Sequence, residues 1–223
     1  LGGAGIQTAA LAIGAIDQSP NLACETWNGT CWSEGNNVLN PHSGGNTSGG
    51  TTTAAITAGG GWPPPSGYAK ASSETYNGAS WTAGNELPSA QNGMQGGSSY
   101  ASVPTGFAYG GSPANAVYVE YDGTCWTTGT SGNTPREQMT AAGSNTAALV
   151  WAGNPGHQTN TEQWNGSTWT EMADLAVGRR AASGAGTYTK ALSIAGETPP
   201  GSYKNNTCEA WNEGPSVVTF TSS

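Results

Sequence analysis

The sequence predicts an all-β fold, a five-bladed β-propeller of four-stranded antiparallel blades, from three features of its repeats. First, a motif of the form Glu-x-Trp-Asn-Gly-x-x-Trp-Thr recurs five times in the 223 residues. Second, its equivalent positions 25, 74, 119, 162 and 209 are spaced by 49, 45, 43 and 47 residues, a period typical of propeller blades. Third, every repeat contains four short segments of strand character and no helical periodicity.

Strands a and b of each repeat are predicted from a segment of small residues, a tight polar turn and an apolar segment that ends in glycine. The small residues favour strands that lie close to a central axis, where bulky side chains would clash. The third copy is looser and is interrupted by Pro104. The five copies are Gly3 to Gly14, Gly50 to Gly60, Tyr100 to Gly111, Ala142 to Gly153 and Gly184 to Gly196.

Strands c and d form a hairpin, which Glu162 to Thr170 represents best. The pair Asn165-Gly166 favours a two-residue type I′ turn, in which Trp164 opposes Ser167 and Glu162 opposes Trp169. Glu162, Trp164 and Trp169 are then expected on one face of the hairpin. In the last repeat the second Trp is missing, and residues 216–220 form the final strand.

The repeats predict one domain over residues 1–223, with repeats at about 1–45, 46–94, 95–139, 140–182 and 183–223. The segment Thr170 to Arg180 is interpreted as a loop because it aligns with linkers that contain Gly and Pro. Complete first and last blades are expected to touch and close the ring. Because Leu1 already lies inside a repeat, the natural N-terminus is expected elsewhere.

The composition excludes several classes of function. The net charge is -8 with only six Lys and Arg, so nucleic acid is not an expected partner. No apolar run of about 18 residues occurs, so membrane insertion is not expected. The chain has 35 glycines, but its nine Trp and eight Tyr at regular spacing favour a folded protein over a disordered one.

Enzyme chemistry has little support in the sequence. The two histidines, His42 and His157, lie in different types of linker, and no Cys/His spacing predicts a metal site. No cofactor is expected. Paired carboxylates for glycoside hydrolysis remain an open alternative, although the loops that do not repeat contain few acids. These acids are Asp17, Glu86, Glu137 and Glu197.

The four cysteines are expected to be mostly free, packed thiols. Cys24 and Cys31 flank the first hairpin and are the only local pair, at a separation near the upper limit for a disulfide. Cys125 and Cys208 lie in repeats too far apart to pair. Free thiols are typical of a protein assembled in a reducing cytoplasm, such as a virion component.

The repeats resemble kelch repeats in the glycines that close strand b, the aromatic before the c–d turn and the Trp that opens strand d. Arg136 and Arg179 in the d–a linkers add to this likeness. The finer pattern, Gly-Ala-Gly-x-x-Thr-Ala-Ala-Leu followed by Glu-x-Trp-Asn-Gly-x-x-Trp-Thr, is similar to repeat proteins of marine bacteriophages. This resemblance implies a tail-fibre or other virion-surface protein outside the cell. The third repeat departs from the pattern, with Val119 in place of Glu.

When the repeats are aligned, two equivalent positions are aromatic and one is Glu in most copies. Each of these three columns has two alternative interpretations. The aromatics are either sugar-stacking platforms or the wedges between neighbouring blades, and packing is favoured because Trp alternates with Tyr. The Glu column provides either acidic ligands or hydrogen bonds to a neighbouring blade, and the second is favoured. The columns are Trp32, Trp81, Trp126 and Trp169; Trp27, Tyr76, Tyr121, Trp164 and Trp211; and Glu25, Glu74, Glu162 and Glu209.

Recognition is expected in the b–c linkers, which differ most between repeats, because loops on a rigid scaffold carry specificity. Their aromatic and basic side chains suit a glycan or another protein. The candidate ligand-binding residues are Trp62, Tyr68, Lys70, His157, Tyr203 and Lys204. The sequence thus predicts a virion-surface module that binds a cell-surface polysaccharide or receptor protein. The alternative is a structural subunit of a virion or filament, and in both cases the chain is part of a larger assembly with other virion subunits.

Overall fold

The computed structural model describes residues 2–14, 22–42, 46–61, 69–98, 105–199, 203–204, 206–212 and 218–220. Within them, five four-stranded antiparallel sheets form a five-bladed β-propeller, which confirms the predicted fold class. No helix occurs in these residues. The segment Thr170 to Arg180 contains the end of a strand followed by a loop. The described residues contain no helix that is long and apolar enough to cross a membrane.

Each blade is one sheet whose strands a to d are hydrogen-bonded in chain order. Blade 1 consists of β1 (Gly2–Ile6), β2 (Ala9–Ile13), β3 (Cys24–Trp27) and β4 (Trp32–Glu34). Blade 2 consists of β5 (Asn46–Thr51), β6 (Ala54–Gly59), β7 (Ser73–Tyr76) and β8 (Trp81–Ala83). Blade 3 consists of β9 (Gln95–Ser98), β10 (Gly106–Tyr109), β11 (Tyr118–Tyr121) and β12 (Trp126–Thr128).

The last two blades follow the same order, with one addition. Blade 4 consists of β13 (Thr140–Ser144), β14 (Ala147–Trp151), β15 (Thr161–Trp164) and β16 (Trp169–Glu171). Blade 5 begins with β17 (Ser183–Gly186) and β18 (Lys190–Ile194). It continues through a small hairpin of β19 (Glu197–Thr198) and β20 (Tyr203–Lys204), and it ends with β21 (Cys208–Asn212) and β22 (Val218–Phe220).

The first strands of the blades pack around the central axis, from β1 to β5, β9, β13 and β17 in turn. Their small residues are required by this crowding. At Gly97 an added Cβ atom would lie 2.5 Å from the carbonyl oxygen of Gly143 in the next blade. In blade 3 the first strand is β9, so the prediction that it begins at Tyr100 was wrong. Gly96, Gly97 and Ser98 supply the small residues there instead.

The c–d hairpins differ from the predicted two-residue turn. Trp164 pairs with Trp169 and Glu162 with Glu171, so the loop has four residues. Gly166 has a φ of 90°, but Asn165 does not adopt a positive φ, as a type I′ turn would require. The Asn165 Oδ1 atom instead accepts hydrogen bonds from the backbone N–H groups of Ser167 and Thr168, both at 2.9 Å. Glu162, Trp164 and Trp169 still share one face, as predicted.

Four hydrophobic clusters form the core, and each lies between two neighbouring blades. The expected closure of the ring by contact between blades 1 and 5 was wrong. Among the described residues, β17 and β1 do not pack as the other first strands do, and a cavity of about 1180 Å³ lies along the first strands and between the two blades. All four cysteines are free in the structure; Cys24 is buried, as expected of a packed thiol, whereas Cys31 is exposed.

Candidate functional site

The variable linkers meet at one end of the propeller, which we call the linker face. There the b–c linker of a blade pairs with the d–a linker beside it through isolated antiparallel bridges. The bridged pairs are Lys70 with Gln91, Asn115 with Arg136, Glu137 with Asn154, and Arg180 with Glu197. The linkers therefore form a hydrogen-bonded layer at the end of the blades, which holds its side chains in defined positions.

Glu162 on β15 holds the linker that leads into its own blade. Its carboxylate accepts hydrogen bonds from the backbone N–H groups of Asn133 (2.7 Å) and Thr134 (3.1 Å). The Arg136 guanidinium donates to the same carboxylate at 2.5 Å, and both side chains are completely buried. Arg136 also donates to two backbone carbonyl oxygens at 3.0 Å. These bonds compensate the burial of both charges and fix the linker between blades 3 and 4.

The same arrangement recurs between blades 4 and 5. Glu209 accepts hydrogen bonds from the backbone N–H groups of Ala176 (2.7 Å) and Val177 (3.3 Å), and the buried Arg179 guanidinium donates to it. Arg136 and Arg179, the two linker arginines of the kelch resemblance, are thus equivalent structural residues. Neither is accessible to a ligand, because both side chains are fully buried.

His42 takes the place of arginine between blades 1 and 2. Its Nε2 atom lies 3.1 Å from Glu74, and its Nδ1 atom lies 2.8 Å from the carbonyl oxygen of Gly59. The backbone N–H groups of Leu39 and Asn40 donate to Glu74 at 2.7 and 2.6 Å. Burial acts to raise the pKa of Glu74, but hydrogen bonds from His42, Leu39 and Asn40 outweigh it and hold the pKa below its usual range.

The interface between blades 2 and 3 lacks this ion pair. Val119 occupies the Glu position and is buried, and Gln91 occupies the Arg position. The Gln91 amide bonds Ser89 at 3.2 Å and Asn115 at 3.5 Å instead. The acid and its cationic partner are therefore replaced together, as expected if the Glu column serves the blade interfaces rather than a ligand.

The aromatic columns also serve packing at the internal interfaces. Trp169 stacks on Trp164 at 5.3 Å, and its indole N–H donates to the carbonyl oxygen of Thr130 in the preceding blade at 2.9 Å. Trp81 and Trp126 are buried in the same way against the preceding blade. Burial raises the pKa of Tyr109 and Tyr118, which pack against Trp169, well above the usual range. The packing interpretation is confirmed for these three Trp residues.

The predicted binding residues divide into three groups. Trp62 and Tyr68 lie outside the described residues. The backbone of Tyr203 and Lys204 forms β20 on the linker of blade 5, where they pair with Thr198 and Glu197. Lys70 and His157 are half-buried on the linkers of blades 2 and 4. The candidates whose backbone is described therefore share the linker face but belong to three different blades.

Several polar atoms of the linker face lack a hydrogen-bond partner within the described part of the chain. They include the Oδ1 atom of Asn92, the Nε2 atom of His157 and the Oε1 atom of Gln158, each of which has almost no accessible surface. The amide nitrogen of Gln158 donates to the carbonyl oxygen of Pro135 at 3.2 Å, so this side chain is held in place. Sequence reasoning found His157 but missed Asn92 and Gln158, because amide residues in loops carry no pattern of their own.

Metal binding gains no support from the geometry. Among the described residues, no group of three His, Cys, Asp or Glu side chains is placed to hold a metal ion. The charged pairs of the blade interfaces are internal, and Arg180 and Glu197 form a partly exposed pair at 2.8 Å. The linker face thus offers mainly neutral hydrogen-bonding groups.

Comparison with known proteins identifies the fold only. No protein-family model matches the sequence, and no curated protein matches it. Among solved structures, the chain is similar to the structure of YjhT, with a TM-score of 0.74 and 14% sequence identity. The match covers 98% of this chain and 83% of the YjhT chain. The similarity concerns the propeller fold, because the identity is too low to carry a ligand or an activity from one protein to the other.

Proposed function

We propose that this kelch-like propeller is a non-enzymatic module of a virion surface, similar to a phage tail-fibre domain, that binds a host-cell surface glycan through its linker face. The observation that carries this proposal is that the linker face presents half-buried amide and imidazole side chains, among them Asn92, His157 and Gln158. The accessible parts of these side chains can exchange hydrogen bonds with the hydroxyl groups of a ligand.

The chemistry of the linker face suits a sugar better than a charged ligand. Sugar hydroxyls both donate and accept hydrogen bonds, which matches amide and imidazole side chains. The net charge of -8 disfavours polyanions at long range. In this proposal Trp62, Tyr68 and Tyr203 supply stacking surfaces, and Lys70 and Lys204 supply additional donors.

The absence of catalysis is part of the proposal and rests on how the charged residues are used. A glycoside hydrolase needs two carboxylates that reach the scissile bond. Glu74, Glu162 and Glu209 are instead buried and bonded to the linkers that lead into their blades. The imidazole of His42 is also buried, in a bond to Glu74.

The proposal is tested with the 223-residue chain on a glycan array, followed by calorimetric titration of the sugars that bind. Replacing Trp62 and Tyr68 together by Ala should abolish binding without changing the midpoint of thermal unfolding. His157→Asn should weaken binding by about 3- to 10-fold, the effect of one hydrogen bond. Asn tolerates the positive φ of 55° at this position, so the fold should be preserved.

Tyr188→Ala provides the matched control, because Tyr188 is an exposed aromatic in the a–b turn at the opposite end of the propeller. This variant should bind like the parent. If Trp62 and Tyr68 are dispensable while Tyr188→Ala loses binding, the glycan site is not on the linker face. Binding to no glycan at all would favour the second candidate, a structural virion subunit, which the exposed apolar side chains of blades 1 and 5 support.

A further inference from the structure

The face of blade 1 that points away from blade 2 carries an exposed aromatic side chain, Trp32. The equivalent Trp of blades 2, 3 and 4 is buried. Trp32 is 50% exposed, whereas Trp81, Trp126 and Trp169 are 4–8% exposed because they pack on the preceding blade. Trp32 stacks on Trp27 at 5.6 Å, so the aromatic pair itself is formed as in blades 2, 3 and 4. What blade 1 lacks is the partner surface.

Blade 5 shows the complementary half of the same interface. Leu192 and Ile194 on β18 are 38% and 39% exposed. Their equivalents on the second strands of blades 1 to 4 are at most 3% exposed, because the Trp-bearing face of the next blade covers them. These equivalents are Leu11, Ile56, Phe107 and Leu149, and Ile13, Ala58, Tyr109 and Trp151. Each end face is thus one half of an interface that occurs four times inside the chain.

The two halves do not meet each other. The cavity runs along the first strands of all five blades and reaches Trp32 and Ile6 of blade 1 on one side and Gly184 and Tyr188 of blade 5 on the other. An apolar face left open at both ends of a packed series is costly, since each internal copy of these side chains is removed from water.

Glu25 supplies an independent indication of what is missing. In blades 2, 4 and 5 the equivalent Glu is buried. Its carboxylate accepts hydrogen bonds from backbone N–H groups of the linker that leads into its own blade. Glu25 is exposed. Its linker would be the stretch that leads into β1, with an Arg or His about four residues before Gly2, as Arg136 precedes Thr140 and Arg179 precedes Ser183.

We infer that one further four-stranded blade of the same repeat, joined to the N-terminal side of β1 in the same polypeptide, occupies the space between blades 5 and 1. It packs a Leu/Ile face on Trp32 and a Trp-bearing face on Leu192 and Ile194, and its d–a linker bonds Glu25. This inference does not depend on the proposed function.

A second copy of the chain fits the two faces less well. A two-fold dimer formed through the blade 1 face alone would pack the Trp32 surface on its own copy, which is not the interface found inside the chain. A single head-to-tail contact would cover one face of each copy and leave the other open, so that covering every face would need a larger ring or a filament. An inserted single blade covers both faces of one chain at once without a second copy.

The test adds a blade in the inferred position. Residues 140–182, which carry Arg179 four residues from their end, are joined directly before Gly2 of the 223-residue chain. The extended chain should unfold in one transition whose midpoint is higher by about 5 °C or more. Quenching of Trp fluorescence by acrylamide should also decrease as Trp32 is covered. A matched extension with Leu149→Asp and Trp151→Asp in the added repeat should lose both effects.

Glu25→Gln separates a specific blade contact from nonspecific covering. It should leave the midpoint unchanged in the 223-residue chain and lower it in the extended chain. If Glu25→Gln is neutral in both and Trp32 stays accessible, the space is not a blade site. Concentration-dependent oligomers of the 223-residue chain that protect Trp32 from acrylamide would likewise overturn the inference in favour of self-association.

Discussion

The interfaces on the two sides of blade 3 differ in chemistry but produce the same blade geometry. Toward blade 4, the completely buried Arg136 and Glu162 form an ion pair that fixes the linker. Toward blade 2, Val119 and Gln91 occupy the same two positions without a charge. Both interfaces keep a buried Trp on the following blade. The wedge-filling aromatic is therefore the shared requirement, and the ion pair is one of two ways to anchor the linker.

Removal of one partner of the ion pair should have the largest effect. Glu162→Ala leaves the Arg136 guanidinium buried without its anion, which should cost about 3–5 kcal/mol of unfolding free energy. Chemical denaturation measures this cost. Glu25→Ala is the matched control, because this carboxylate is exposed and its loss should cost no more than about 0.5 kcal/mol. Equal effects of the two variants would contradict the structural role of the buried Glu residues.

Truncation of the aromatic wedge should cost nearly as much at an internal interface. Trp169→Ala and Trp81→Ala should each lose about 3–5 kcal/mol, since they empty a packed site between two blades. Trp32→Ala removes the equivalent side chain where it is half exposed and should cost about 1 kcal/mol or less. If Trp169→Ala unfolds like the parent but loses a ligand, the column is a set of binding sites.

These contrasts show what the repeat pattern predicts and what it does not. The spacing of the Glu-x-Trp motif predicts the blades, and the alternation in Glu162 to Trp164 predicts which side chains share a face. The turn was mispredicted because Asn-Gly pairs suit a type I′ hairpin, whereas the Asn165 side chain caps a longer loop. A repeat describes one blade and its neighbours, so it contains no information on whether blades 1 and 5 meet.

The candidate site is less predictable than the fold. The variable linkers were identified because they differ between repeats, but the unpaired atoms of Asn92 and Gln158 depend on contacts far apart in sequence. The joint replacement of the Glu by Val119 and of the cation by Gln91 could be predicted from the sequence only in part. Val119 stands out in the Glu column, but its partner becomes clear only when the linker is placed beside the next blade.

Acid should weaken the interface between blades 1 and 2 more than the interface between blades 2 and 3. The folded protein lowers the pKa of Glu74, so this group stabilises the fold above the unfolded pKa of Glu, and the stabilisation is lost as pH falls through the folded value. The midpoint of thermal unfolding, measured from pH 7 to pH 3, should therefore decrease less steeply in Glu74→Gln than in the parent. Parallel curves would show that Glu74 does not contribute to the acid sensitivity.

The smallest effect is expected when blade 4 receives the chemistry of blade 3. Arg136→Gln together with Glu162→Val removes both charges, so no buried ion is left without a partner, and buried pairs replaced by neutral groups are often close to neutral for stability. The double variant should cost about 1 kcal/mol, much less than Glu162→Ala alone. The N–H groups of Asn133 and Thr134 lose their acceptor in this variant, which accounts for the remaining cost. A double variant as unstable as Glu162→Ala would mean that blade 3 depends on more than the exchanged pair, and that the two interfaces are not interchangeable.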